Sequence, residues 1–269
     1  MKKRKKAIVL GGLITLTITL SVISNIKKEK EEITNSDVVL SNSKIEWGIQ
    51  RKGNHEQPDL GTKNKELITK YNGMAIGNID KKYIYLTFDN GYEAGYTDKI
   101  LESLKNNNVK AAFFITAHYA NTASELVQQM IDDGHIIGNH TVNHKSMPDL
   151  DEEKIRKEIM ELHQAINEKF GYEMKYIRPP MGEFSQRTIN ITNMLGYKTV
   201  MWSFAYEDWN EEKQPSEEKA KKKIIENLHN GEIMLLHGNS KTNAYILDSV
   251  IKEAKSMGYE FKSLDEFEK

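Results

Sequence analysis

The chain has 269 residues, 38% of them apolar and 29% charged, with 38 basic against 39 acidic side chains and a formal net charge of -1. That balance excludes collagen-like, low-complexity and multi-span membrane classes, and it offers no global basic field for nucleic acid. With no cysteine, disulfide frameworks, thiolate metal sites and thiol nucleophiles are excluded too.

Lys2, Lys3, Arg4, Lys5 and Lys6 precede an uncharged run from Ala7 to Ile23. A basic cluster ahead of an apolar stretch is the layout of a secretory signal or a single membrane anchor. Residues 1–24 are therefore expected to act as signal peptide or signal anchor. The rest of the chain would then lie outside the cytoplasm, secreted to the cell envelope or held at its membrane. Residues 25–44 are polar and aperiodic, as in a linker. Residues 45–80 are irregular, with a short helix expected over 65–71.

From Tyr83 a regular alternation begins. The run 83–88 reads as a strand and 97–107 as a helix with Ile100, Leu101 and Leu104 on one face. Residues 111–116 form a continuous apolar run, as in a strand covered on both sides. A helix over 122–133 stops at Gly134, and 135–139 is a short strand. The longest helix spans 149–170, with Ile155, Ile159, Leu162 and Ile166 as its apolar stripe and Gly171 as its stop. Residues 176–178 end a strand. Ser185 caps a helix running to Leu195, and 199–205 reads as a strand with Trp202 in the core. Ser216 caps a helix to His229, 232–237 is a strand, and a helix over 243–257 leads to a last strand. Seven β-to-α alternations with short links imply an α/β fold with a parallel sheet and outer helices. A distorted (β/α) barrel of about seven strands is favoured, and a doubly wound sheet is the alternative.

In such folds the site lies at the carboxyl ends of the strands. Asp89 and Asn90, then His140 and His144, Arg178, Asp208 and Trp209, and His237 all stand at such ends. The spacing of His140 and His144 suits one divalent cation, or plain surface. Asp89 could act as a general base or merely cap an Asx turn. His237 follows a buried strand, where a general acid or a hydrogen-bonded structural histidine would sit. His163 and His229 lie on expected helices and read as surface residues.

Taken in order, these residues resemble the polysaccharide deacetylases of the NodB-homology class. The family motif T-F-D-D-G resembles Thr87-Phe88-Asp89-Asn90-Gly91, and H-[ST]-x-x-H matches His140 to His144. R-x-P-x-G matches Arg178 to Gly182. D-x-x-D-W survives as Asp208-Trp209, with Ala205 in place of the first Asp, and L-x-H matches Leu235 to His237. The T-F-D-N-G-Y-E and W-S-F-A-Y runs are similar to the PdaA-type muramic acid deacetylases, which supply the δ-lactam of spore-cortex peptidoglycan. Those share an N-terminal W-G and N-H-x-x-P pattern, here Trp47-Gly48 and Asn54 to Pro58. That pattern makes 45–80 an extension of the catalytic domain at 81–269.

The resemblance implies roles. Asp89 would activate water, Arg178 would keep Asp89 ionised, His237 would protonate the leaving amine and Asp208 would tune His237. His140 and His144, with Asn90 as a weaker ligand than the usual Asp, would hold a divalent metal, zinc by preference. Asn90 leaves the need for that metal open. Trp209 and Leu235 would wall the acetyl pocket, and the backbone N–H near Met181 would face the oxyanion. The implied substrate is the glycan strand of peptidoglycan, with N-acetylmuramic acid preferred. The rivals are a deacetylase of N-acetylglucosamine or chitin-type polymers and an inactive wall-glycan-binding protein.

Overall fold

The computed structural model describes residues 40–269. The export segment expected over residues 1–24 and most of the linker lie outside the described residues. Among the described residues no helix is long and apolar enough to cross a membrane. The elements in chain order are β1 (Ile45–Glu46), α1 (Thr62–Lys70), β2 (Tyr83–Asn90), α2 (Thr97–Asn106), β3 (Ala112–Ile115), α3 (Ala117–Thr122), α4 (Ser124–Asp132) and β4 (Ile136–Asn139). Then come α5 (Glu152–Phe170), β5 (Tyr176–Ile177), β6 (Glu183–Phe184), α6 (Gln186–Met194), β7 (Lys198–Thr199), α7 (Glu217–Asn227), β8 (Glu232–His237), α8 (Lys241–Ser256) and β9 (Glu260–Phe261).

Seven parallel strands form the main sheet, in the order β7-β5-β4-β3-β2-β8 with β9 also paired to β2. The sheet curls until its edges approach. Beyond β7 the chain bridges Phe204 to Met234 of β8, and the Leu235 N–H donates to the Phe204 carbonyl at 2.9 Å. Met74 fills the remaining gap beside β7. Its N–H donates to the Thr199 carbonyl and its carbonyl accepts from the Met201 N–H, both at 2.8 Å. The result is the distorted (β/α) barrel that the alternation implied.

Strand parity divides the core. Ile84, Leu86, Phe88, Phe113, Ile115, Met234 and Leu236 pack outward against the helices. Tyr85, Phe114, Tyr176, Val200 and Ile233 pack together in the lumen. Burial on both faces explains why these strands read as unbroken apolar runs. Each fully buried Ile, Leu or Phe contributes about 1.5–3 kcal/mol. Gly138 leaves the lumen room for the Phe114 ring, since a Cβ there would lie 2.5 Å from it.

The helix ends follow local chemistry. Ser185 and Thr188 form a capping box at α6, the Ser216 hydroxyl accepts from the Lys219 N–H at α7, and Gly171 ends α5 at φ 64. Some expectations need correction. The helix expected over 122–133 is present as α4, and a short helix the sequence did not suggest, α3, precedes it across a break at Ala123. The strand expected over 199–205 is a ladder only at Lys198–Thr199. Beyond it the backbone groups bond Met74 and Ile233 individually, because the barrel is closing there rather than extending its sheet. Trp202 is only half-buried.

Residues 45–76 lie against this barrel. The Trp47 N–H donates to the Gly182 carbonyl at 3.0 Å, and its indole Nε1 donates to the Trp202 carbonyl at 2.9 Å. Trp47, Leu60, Ile68 and Ala75 share a small core with Phe184, Ile189 and Met201. Just ahead, the Ser41 carbonyl accepts from the Arg187 N–H, and Lys44 pairs with Asp149 and Glu183.

Candidate active site

The inward parity of β2 and β8 continues past the apolar layer. Thr87 and Asp89 follow Tyr85 on the lumen face, and His237 follows Ile233 and Leu235. Asp89 and His237 stand opposite each other in register on these paired strands, and neighbouring strands lie about 4.8 Å apart. Two ionisable groups are thereby fixed side by side at the carboxyl mouth of the barrel.

Arg178, wholly buried, comes from the end of β5 and crosses the lumen. Its Nη1 donates to Asp89 Oδ1 at 2.7 Å, Nη2 to Thr87 Oγ1 at 2.9 Å and Nε to the Val200 carbonyl at 3.1 Å. The guanidinium lies 4.3 Å from the Phe114 ring centroid. Burial alone would raise the Asp89 carboxyl, but Arg178, then His140 and His237, outweigh it and hold its pKa below the usual carboxylate value. Arg178 occupies one carboxylate oxygen and leaves Oδ2 for another partner.

His140 and His144 stand on a tight loop after β4, where Thr141 and His144 have left-handed φ of 67° and 54°. The His140 Nδ1 lies 2.9 Å from the Arg178 carbonyl, which assigns the proton to Nδ1 and turns Nε2 away from it. Nε2 of His140 then meets Nε2 of His144 at 3.1 Å and Asp89 Oδ2 at 3.5 Å. Burial pushes His140 down to about 4 and also lowers His144, so both imidazoles are neutral at pH 7.

The loop is clamped by Glu158 of α5, a residue the sequence reading passed over. Its carboxylate accepts from the Asn143 N–H and side-chain amide, each at 2.7 Å, and its carbonyl accepts from the Val142 N–H. A carboxylate spaced with Ile155 and Leu162 on the apolar stripe was the available signal.

On the opposite side Asp208 holds His237. Oδ1 meets His237 Nδ1 at 2.7 Å, and Oδ2 accepts from the His237 N–H at 2.9 Å and from Asn243 Nδ2 at 2.6 Å. Asn243 in turn accepts from the Tyr206 hydroxyl. Burial would lower the His237 pKa, but the Asp208 charge and hydrogen bond prevail and raise it above 6.5. With Nδ1–H pointed at Asp208, Nε2 carries the proton available to a ligand.

These groups open into one cavity of about 1090 Å³, lined by Asp89, His140, His144, His237, Trp209 and Leu235 among others. Met181, at φ 59°, and Gly182, at φ 69°, turn the third motif into the same wall. A Cβ on Gly182 would lie 2.6 Å from the Trp202 ring, so that turn requires glycine. Of the two histidines expected on the surface, His163 is partly exposed there and His229 is not. His163 bonds Tyr197 and Glu173, and His229 is buried beside Ser203, because the chain turns inward after Leu228.

The donor set fits a divalent ion. Two neutral imidazole nitrogens converge, and the Asn90 carboxamide is buried with neither polar atom hydrogen-bonded. Asn90 packs against Gly238 and does not line the cavity, so the donors that converge on one point are the two imidazoles.

The sequence pattern of the polysaccharide deacetylase family matches residues 76–200. The peptidoglycan-N-acetylmuramic acid deacetylase PdaA of Bacillus subtilis is 42% identical over 231 residues, 85% of this chain and 88% of that protein. The solved structure of PdaA, a family 4 carbohydrate esterase, matches with a TM-score of 0.82 at 41% identity, covering 85% of this chain and 98% of that one. A peptidoglycan-N-acetylglucosamine deacetylase of Bacillus cereus is 31% identical over 201 residues, 73% of this chain and 72% of that protein. Likeness of this depth spans the N-terminal extension, the barrel and its mouth, and the chain belongs to the polysaccharide deacetylase family.

Proposed function

We propose that this chain removes the acetyl group from amino sugars of peptidoglycan by amide hydrolysis, with N-acetylmuramic acid as its preferred ring. The observation that carries the reading is one cavity that sets Asp89, held in its ionised form by Arg178, opposite His237, whose proton affinity Asp208 raises. Asp89 Oδ2 takes a proton from water as the oxygen attacks the acetyl carbonyl carbon. Arg178 stabilises the carboxylate before this step. The backbone N–H near Met181 faces the developing oxyanion. His237 Nε2–H then protonates the sugar nitrogen as the C–N bond breaks, and acetate and a free amine leave. Asp208 orients the imidazole and favours its protonated form until that transfer. Trp209 and Leu235 enclose the acetyl methyl. A divalent ion, zinc by the softness of two imidazoles, would be held by His140 and His144 and would polarise the acetyl carbonyl.

The substrate of this reading lies outside the cytoplasmic membrane, and the basic-then-apolar segment over residues 1–24 supports delivery there. The test is acetate release from peptide-free peptidoglycan strands and from chitooligosaccharides, before and after chelation and zinc readdition. Muramic deacetylation, identified by mass spectrometry of the digested product, supports the reading. Glucosamine as the sole product moves the chain to the chitin-type activity, and no acetate from either substrate overturns the enzyme assignment.

A further inference from the structure

N-acetylmuramic acid differs from N-acetylglucosamine by a lactyl ether that ends in a carboxylate. A cleft that prefers the first should present a cation to it. No Lys or Arg is among the residues lining the cavity. Arg178 is close by but wholly buried, and its charge is committed to Asp89. His237 is committed to Asp208, so a free cation must reach the cavity from its rim.

The N-terminal extension supplies one. Residues 47–51 run along that rim. Trp47 is bonded to Gly182 and Trp202, both of which line the cavity. Gln50 then pairs with Asp59 through two backbone hydrogen bonds of 2.9 and 3.0 Å, which fix the chain where Arg51 leaves it. Arg51 Nη1 donates to the carbonyl of Ala205, a lining residue, while the side chain stays exposed. Among the described residues no carboxylate pairs with Arg51 within 4.0 Å, although surface lysines such as Lys154 and Lys252 do find such partners. The guanidinium is thus tethered at one nitrogen, with its remaining N–H donors free for a planar anion.

We propose that Arg51, tied to the Ala205 carbonyl at the rim of the cavity, recognises the lactyl carboxylate and sets the preference for muramic acid. This rests on the deacetylase reading above and names the group that selects its substrate. The preference belongs to the free acid, because an amide-linked stem peptide removes the charge that Arg51 reads. Ala205 contributes by bringing no carboxylate of its own to the same spot.

The test uses the full-length chain and three substrates: an N-acetylmuramic-acid-containing oligosaccharide with a free lactyl carboxylate, its neutral methyl ester, and chitotetraose. Wild type should favour the acid over the ester by about tenfold in kcat/KM, carried by KM. That ratio should shrink with added salt. Arg51→Gln should bring it close to one, and Arg51→Lys should keep part of it. Lys145→Gln, at the exposed residue after His144, should leave the ratio as in wild type. Four results overturn the proposal while sparing the deacetylase reading: a wild type indifferent to esterification, an Arg51→Gln variant that keeps the preference, an equal loss on all three substrates, or a preference lost in Lys145→Gln instead. A wild type that releases acetate from none of the three overturns both.

Discussion

Strand β8 carries a histidine–carboxylate pair at each end, and the two pairs behave in opposite ways. At its carboxyl end His237 meets Asp208 at 2.7 Å, and the imidazole side chain keeps 24% of its surface exposed. At its amino end His229 lies 3.4 Å from Glu232, and both are sealed. In the open pair the Asp208 charge raises His237. In the sealed pair burial pushes His229 down to about 4 and drives Glu232 well above 4.5. His229 Nε2 even meets Ser203 Oγ at 2.8 Å, so serine, histidine and glutamate stand in the order of a hydrolytic triad. Yet no part of that triad lines the cavity. The same residue types give a histidine that holds its proton more tightly where a short contact meets solvent, and one that gives it up where desolvation wins.

Breaking each pair in turn tests that contrast. The largest effect is expected at the open end, where His237→Ala should cut acetate release by roughly 10²–10⁴. His229→Gln should leave kcat of the folded protein close to wild type. An equal loss of kcat in both variants would erase the distinction. Removing a partner from a charged buried pair should cost the most stability. Arg178→Met strands the Asp89 charge and should lose about 3–5 kcal/mol in urea unfolding at pH 7. A loss under 1 kcal/mol would mean that Asp89 is neutral in the native state.

The sealed pair predicts a pH effect of the opposite kind. Glu232 binds its proton more tightly folded than unfolded. The stability it contributes is complete below 4.5 and drains away as pH rises through the folded value. Glu232→Gln cannot ionise, so its melting temperature should gain on wild type as pH rises from 4.5. A constant difference would contradict the burial argument. The smallest effect sharpens the open pair. In Asp208→Asn burial acts on His237 without its counter-charge, so the imidazole pKa should fall. The acid form is then lost earlier, and the alkaline limb of kcat/KM should move to lower pH. An unmoved limb would assign it to another group.

Much of the site is legible in sequence because strand ends and motif spacing coincide. Asp89, His140, Arg178 and His237 each follow an apolar run, and parity then sends them to one lumen. Glu158 and Asn243 stay hidden because each is a polar residue on a helix, and only the packed helix shows which face is buried. His229 follows the lysine-rich Glu217–Asn227 helix and therefore reads as solvent-facing, until Leu228 turns the chain inward. The run 199–205 reads as strand because burial, not pairing, sets its composition. Its partner Met74 lies far back in the chain.

That distant partner has a consequence for how the molecule is assembled in time. Trp47 and Trp202 are joined across 155 positions of sequence, and Met74 closes the gap beside β7. A chain made or exported from its amino end presents the extension first, long before the residues that receive it exist in folded form. The extension must wait while the parallel strands pair, and such non-local contacts form slowly. During that interval Trp47, Leu60 and Ile68 have no apolar neighbours to cover them, and the rim that Arg51 occupies is unmade. Closing the barrel and assembling the rim of its cavity are therefore the same late kinetic event.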